Sequence, residues 1–123
     1  MDQQASGLVA VIDDDPEVCD VLQVLFESAG HSVETFASGQ AFLGGAKLSD
    51  VACIVVDQNM PQMTGIELLR ELNRRGHSIP ALLITGASDP EVERHAEHLG
   101  FMTVLEKPMS TQELLRFVSF STG

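Results

Sequence analysis

The chain has 123 residues, the length of one ordinary domain and enough to bury a core without disulfides or a structural metal. Its 18 acidic and 7 basic residues give a formal net charge of −11, so the chain by itself repels a phosphate backbone and we predict no direct nucleic-acid binding. No apolar run is long enough to cross a membrane, and the start, MDQQASG, has no basic region of a secretory signal, so we expect a cytoplasmic protein with no membrane partner.

Short apolar runs alternate with longer helical patterns along the chain. Residues 8–12 are apolar at every position and predict a strand that is buried on both faces. Pro16 suits the first turn of a helix, and apolar side chains follow at helical spacing until Gly30 ends the pattern. Residues 32–36 predict a second strand, and Ser38 is placed to cap a short second helix.

The third and fourth units repeat this pattern. Residues 51–56 predict the most apolar strand, and a loop over residues 58–64 leads to a third helix that opens at Gly65. Residues 80–85 predict the fourth strand. The sequence Ser88-Asp89-Pro90 predicts the start of a fourth helix.

The last unit completes the architecture. Residues 102–106 predict a fifth strand, and Ser110 or Thr111 is predicted to cap the last helix. Strands that are separated by helices of about 10 residues need right-handed crossovers and form a parallel sheet. We therefore predict an α/β fold of (βα)5 order, doubly wound, with a parallel five-stranded sheet and helices on both faces. The site of such a fold lies beyond the carboxyl ends of its strands.

Polar side chains stand where four of the predicted strands end. Because the carboxyl ends of parallel strands meet at one edge, we expect these side chains to gather there. They are Asp13, Asp14 and Asp15 after the first strand, Asp57 after the third, Thr85 at the end of the fourth and Lys107 after the fifth.

The acidic members of this set need a counter-charge. At an effective dielectric of 20 and a separation of about 6 Å, each pair among Asp13, Asp14 and Asp57 costs roughly 3 kcal/mol. A divalent cation together with Lys107 would neutralise three carboxylates, and all-oxygen ligands favour Mg²⁺. The plainer alternative is that Asp14 or Asp15 only caps the helix that begins at Pro16.

A carboxylate beside a divalent cation, a hydroxyl and an ammonium group is an arrangement for phosphoryl transfer. Asp57 would be the nucleophile and would become an aspartyl phosphate. Thr85 and Lys107 would stabilise charge on the transferred oxygens together with the cation.

A flavin- or nucleotide-binding module on the same fold would need a glycine-rich loop after the first strand. That position holds Asp13-Asp14-Asp15-Pro16, which is the opposite chemistry.

The strand-end motifs resemble those of one known family over residues 8–118, the receiver domain of two-component response regulators. The matching motifs are Val-Ile-Asp13-Asp14-Asp15, Val-Val-Asp57-Gln-Asn-Met-Pro61-Gln-Met-Thr-Gly65, Ile-Thr85-Gly86-Ala87 and Glu-Lys107-Pro108. The resemblance implies a flavodoxin-like sheet in the order 2-1-3-4-5. It also implies that residues 1–123 form a single receiver domain that takes a phosphoryl group from a phosphohistidine.

The resemblance assigns a role to each matching position. The donor would be a sensor histidine kinase or a phosphotransfer protein, and the chain would catalyse only its own phosphorylation and dephosphorylation, so it is not otherwise an enzyme. The Lys107–Pro108 peptide bond would be cis, as is common in the family. The residues concerned are Asp57 as phosphoacceptor, Asp14 as direct Mg²⁺ ligand, Asp13 as the neighbouring acid, Asn59 as a ligand through its backbone carbonyl, Thr85 as the switch hydroxyl and Lys107 as the site amine.

One departure from the family pattern lies three residues before the lysine. That position usually holds Phe or Tyr, whose rotamer follows the threonine, and here it holds Val104, while Phe101 stands where a small residue is usual. Either the switch uses another element, or the possible homodimer or partner surface formed by the fourth helix, fifth strand and fifth helix (α4–β5–α5) responds weakly. A further alternative is a degenerate receiver that acts as a constitutive interaction domain.

Two shorter motifs resemble a subgroup of receivers that often precede a helix-turn-helix DNA-binding domain. They are Phe36-Ala-Ser-Gly39 and Ile84-Thr-Gly86. The sequence leaves open whether the chain is a single-domain regulator or the receiver of a longer protein.

Overall fold

The computed structural model describes residues 7–86, 89–101 and 103–123, and they contain one parallel sheet. Its strands run in the order β2-β1-β3-β4-β5, so the predicted α/β fold and the flavodoxin-like order 2-1-3-4-5 are confirmed. The strands are β1 (Leu8–Ile12), β2 (Val33–Phe36), β3 (Val51–Asp57), β4 (Ala81–Thr85) and β5 (Thr103–Glu106).

Five helices cover the two faces of the sheet, which makes the predicted doubly wound arrangement. Successive residues of a strand, such as Val9 and Ala10, point into separate apolar clusters on opposite faces of the sheet. One cluster contains buried residues of α1 and α5, and the other contains those of α2, α3 and α4. The helices are α1 (Pro16–Ser28), α2 (Gly39–Gly45), α3 (Gly65–Arg74), α4 (Pro90–Leu99) and α5 (Thr111–Thr122).

Side-chain caps fix where the helices begin. The Asp15 carboxylate accepts a hydrogen bond from the Glu17 amide, so Asp15 and not Asp14 caps α1. Ser38 caps α2 as predicted, and Ser110 rather than Thr111 caps α5. Asp89 caps α4, whereas the predicted starts at Ser88 and Met102 lie outside the described residues.

The strand bounds differ from the predicted ones by single residues. β2 and β4 begin one residue later, although Ser32 and Pro80 still accept hydrogen bonds from Val9 and Ile54. β3 continues one residue further because Asp57 pairs with Ile84 of β4. A short 3-10 helix over Leu48–Asp50 was not predicted.

α4 is the most sparsely anchored helix. Ala96 is its single buried residue, whereas α3 buries five. Two polar contacts join α4 to α3: the Arg70 guanidinium lies 3.0 Å from His95 Nε2, and Asn73 Nδ2 donates to the Leu99 carbonyl. α4 therefore packs on the sheet through a narrow apolar stripe and polar contacts at its side.

Two smaller observations concern thiols and membranes. Cys19 and Cys53 are free and buried. Among the described residues, no helix combines the length and the apolar character that a membrane crossing needs.

Candidate functional site

Three carboxylates meet at the carboxyl edge of the sheet. Asp13 and Asp14 follow β1, and Asp57 is the last residue of the neighbouring β3. One oxygen from each carboxylate lies within 4.8 Å of the other two. Asp13 and Asp57 are each only 3% exposed, whereas Asp14 is exposed to solvent. The structure therefore assembles the predicted acidic cluster, with two members buried and one facing outward.

Backbone amides hold one oxygen of each buried acid. Asp13 Oδ1 accepts a hydrogen bond of 2.9 Å from the Asp15 amide, and Asp57 Oδ2 accepts one of 3.1 Å from the Asn59 amide. The second oxygens, Asp13 Oδ2 and Asp57 Oδ1, are buried without a hydrogen-bond donor. Each buried acid is thus oriented by one oxygen and leaves the other available.

The ionised form of Asp13 is disfavoured in this place. Burial, above all, raises the pKa of Asp13 to about 6, and the neighbouring charges of Asp57 and Asp14 act in the same direction. The hydrogen bond from the Asp15 amide and the charge of Lys107 oppose the rise in pKa without cancelling it. The fold therefore keeps a carboxylate where it is unfavourable, which calls for a positive partner.

Lys107 places an ammonium group beside the acidic cluster. Its Nζ lies 3.3 Å from Asp57 Oδ1, an ion-pair contact that lacks the geometry of a hydrogen bond. The Lys107 amide donates to the Thr85 carbonyl over 2.9 Å, which ties the end of β4 to the residue after β5. Thr85 is buried at the end of β4, and the Lys107–Pro108 peptide bond is cis, as the resemblance implied.

Asn59 lies at the start of the β3–α3 loop, which we define as residues 58–64. Asn59 itself is exposed, and its backbone amide donates to the Asp57 carboxylate. The structure therefore brings all six predicted site positions to one edge of the sheet: Asp13, Asp14, Asp57, Asn59, Thr85 and Lys107.

Sequence reasoning missed Gln58, the neighbour of the predicted site residues. Gln58 Oε1 accepts a hydrogen bond of 2.9 Å from the Ile66 amide in the first turn of α3. The two residues are eight apart across a loop, so no helical or strand period could reveal the contact. An amide side chain directly after a buried strand was the single signal in the sequence.

The donor set fits a hard divalent cation. Its ligands are carboxylate oxygens, two buried oxygens lack donors, and Lys107 supplies one positive charge against three negative ones. Among the described residues this is the one cluster of three acidic, histidine or cysteine side chains with metal-binding spacing. Mg²⁺ fits such a half-open, all-oxygen site.

The position that departs from the family pattern holds a half-buried valine beside a groove. Val104 is half-buried in β5, and Phe101, 5% exposed, packs in the same apolar cluster as Ala96 of α4. A groove of about 250 Å³ runs between α4 and β5, lined by Glu93, Glu97, Phe101, Thr103 and Val104. In this chain the aromatic side chain is that of Phe101, which lies before β5 and not on it.

Comparison with known proteins gives a consistent result. A family model described as "Response regulator receiver domain" matches residues 9–119. The regulatory protein FixJ of Azorhizobium caulinodans is 40% identical over 115 residues, which are 94% of this chain and 54% of FixJ. The response regulator TodT of Pseudomonas putida strain F1 is 35% identical over 89% of this chain and 48% of TodT.

A solved structure agrees with these relatives. The response regulator StyR superposes with a TM-score of 0.89 at 36% identity, over 96% of this chain and 60% of that one. The chain spans about half the length of the curated relatives that it matches.

Proposed function

The chain belongs to the family of response regulator receiver domains, and from this membership we propose that Asp57 accepts a phosphoryl group from a phosphohistidine on a sensor histidine kinase or phosphotransfer protein. A receiver is a signalling domain and not an enzyme that turns over a separate substrate. The observation that carries the proposal is the buried Asp57 carboxylate, which lies 3.3 Å from Lys107 and beside Asp13 and Asp14.

The transfer exchanges one bond to phosphorus for another. An Asp57 carboxylate oxygen attacks the phosphorus while the bond from phosphorus to the imidazole nitrogen breaks. The bonding electrons return to the imidazole of the donor, and Asp57 becomes a mixed carboxylic–phosphoric anhydride. Hydrolysis by water later restores the carboxylate and releases inorganic phosphate.

The remaining site residues manage charge. Asp13, Asp14, Asp57 and the Asn59 carbonyl would hold Mg²⁺, which would supply positive charge against the phosphoryl oxygens. The Lys107 ammonium is close enough to Asp57 to contact a phosphoryl oxygen on it, and the Thr85 hydroxyl would donate to another. The burial of Asp57 strengthens each of these interactions because little water competes.

The phosphoryl group would change what the domain contacts. We propose that residues 1–123 act as a single receiver domain in the cytoplasm and that a homodimer or partner forms through the α4–β5–α5 face. Since the relatives are about twice as long, any output domain, such as a DNA-binding helix-turn-helix, would lie outside residues 1–123.

The second candidate is a degenerate receiver that acts as a constitutive interaction domain. Val104 and the buried Phe101 favour it, because β5 carries no aromatic side chain that could rotate toward Thr85. Amide NMR spectra that stay unchanged after verified phosphorylation would support this candidate over the first.

The decisive experiment is the intact mass after incubation with Mg²⁺ and a small phosphodonor. We expect one added phosphoryl group in the parent protein and none in Asp57→Asn or in the presence of EDTA. Asp20→Asn, which removes an exposed acid from α1, is the matched control and should be modified like the parent. An adduct that persists in Asp57→Asn would refute the assignment of Asp57.

A further inference from the structure

Gln58 lies where three elements meet beside the acidic cluster. Its amide donates to the Ile84 carbonyl of β4 over 2.8 Å, and its carbonyl accepts from the Gly65 amide over 3.4 Å. Its side-chain Oε1 accepts from the Ile66 amide over 2.9 Å. One residue therefore joins the end of β3 to β4 and, twice, to the first turn of α3.

The first turn of α3 depends on this residue for two of its amides. The first amides of a helix have no partner inside the helix. The side chains of Thr64 and Glu67 accept from each other's backbone amides in a reciprocal capping box, whereas the Gly65 and Ile66 amides donate to Gln58. Ile66 is only 6% exposed, so water does not easily replace the Gln58 acceptor.

α3 begins in direct contact with Asp57, the proposed phosphoacceptor. A Cβ on Gly65 would lie 2.5 Å from Leu83 Cδ1 and 3.0 Å from the Asp57 carbonyl oxygen. No ordinary side chain fits there, so the helix start is pressed against the last residue of β3. A change in the position of this helix start is therefore transmitted to Asp57 and to the loop that follows it.

We propose that the Gln58 side chain is a positioning residue for the cation site: by holding the start of the β3–α3 loop to α3, it fixes the Asn59 backbone beside Asp57. This inference rests on the proposed function, since the Asn59 carbonyl is a ligand there. Gln58 touches neither cation nor phosphoryl group itself. The Asn59 amide already binds Asp57 Oδ2, so the orientation of this one peptide segment sets both the carboxylate and the ligand.

The test compares two ways of weakening the same helix start. Gln58→Met removes the acceptor at nearly constant length, and Thr64→Val removes the other side-chain cap of α3 at the far end of the loop. Mg²⁺ affinity of the unphosphorylated protein is measured by isothermal titration calorimetry, and thermal stability is measured with EDTA. Both variants should melt earlier than the parent, but Gln58→Met alone should bind Mg²⁺ about tenfold more weakly.

A second variant covers the case in which Gln58→Met does not fold. Gln58→Ala removes the same acceptor and shortens the side chain, so the tether to the loop is lost without an apolar side chain in its place. Its Mg²⁺ affinity should fall as well, and the amide signals of residues 58–60 should shift in NMR spectra.

The outcomes separate this inference from the function on which it rests. Parent-like Mg²⁺ affinity in the Gln58 variants, or an equal loss in Thr64→Val, would overturn it and leave Gln58 as an ordinary helix cap. A parent that binds Mg²⁺ but takes no phosphoryl group would refute the proposed function alone. A parent that binds no Mg²⁺ would overturn the inference.

Discussion

Replacing Asp13 by Asn should stabilise the cation-free domain. The substitution keeps Oδ1, which accepts the hydrogen bond from the Asp15 amide, and removes the charge. In place of the unpartnered Oδ2 it puts an uncharged NH2 group beside the carboxylates of Asp14 and Asp57. The change therefore relieves repulsion without opening a cavity.

The magnitude follows from the pKa of Asp13. The pKa of Asp13 is about 6 in the folded protein against an ordinary value of 3.8, so the folded state disfavours the ionised form by about 3 kcal/mol. Because the folded-state pKa is raised, this penalty is absent below pH 4, grows between pH 4 and 6, and is fully present above pH 6. Asp13→Asn should match the parent near pH 4 and exceed it by up to about 3 kcal/mol at pH 7.

Urea unfolding at several pH values with EDTA tests this expectation. Far-ultraviolet circular dichroism is the suitable signal because the chain contains no Trp or Tyr. Added Mg²⁺ should stabilise the parent more than the variant, because Asp13 then has a positive partner. The exposed acid Asp20 supplies the control variant Asp20→Asn. A pH-independent difference, or a variant less stable than the parent at pH 7, would refute the reasoning.

Three further predictions concern the same edge and the core. Asp15→Ala should cost about 1 kcal/mol of stability through the lost cap of α1 but leave Mg²⁺ affinity unchanged, as urea unfolding and calorimetry would show; weakened Mg²⁺ binding would contradict the separation of Asp15 from the cluster. Lys107→Met should slow phosphorylation by a small donor at least about tenfold at saturating Mg²⁺, as measured by intact mass against time, and an unchanged rate would contradict the role of Lys107. Cys53, whose pKa burial raises to about 12, should resist alkylation at pH 8 until urea unfolds the protein, and rapid alkylation of the native protein would contradict its burial.

The sequence predicts the architecture and the cluster because both rest on signals that are local in the sequence. Continuous apolar runs such as residues 8–12 specify buried parallel strands, and the acids that end them must then meet at one edge. The choice between Asp14 and Asp15 as the cap of α1 lay beyond the sequence. Both are carboxylates in the same turn, and only the backbone direction after β1 decides which one reaches the Glu17 amide.

The contact of Gln58 with Ile66 was hidden for a different reason. It depends on how the β3–α3 loop folds back on itself, and loop paths follow from tertiary packing rather than from composition. The 3-10 helix over Leu48–Asp50 is a similar case, because three residues are too few to show a period. The features that the sequence does not reveal are therefore short loop contacts and turns that lie between the regular helices and strands.

Because α4 buries so few residues, we expect it to be the least stable helix of this domain. With Ala96 as its single buried side chain, the helix contributes little to the cooperative core, so it should detach before the sheet loosens. In hydrogen exchange its amides should be among the first helical ones to exchange, while those of β3 persist until global unfolding. The parallel sheet is therefore the stable part of the molecule, and α4 is the helix that moves most easily. A small local free energy of unfolding suffices to reposition the whole of α4.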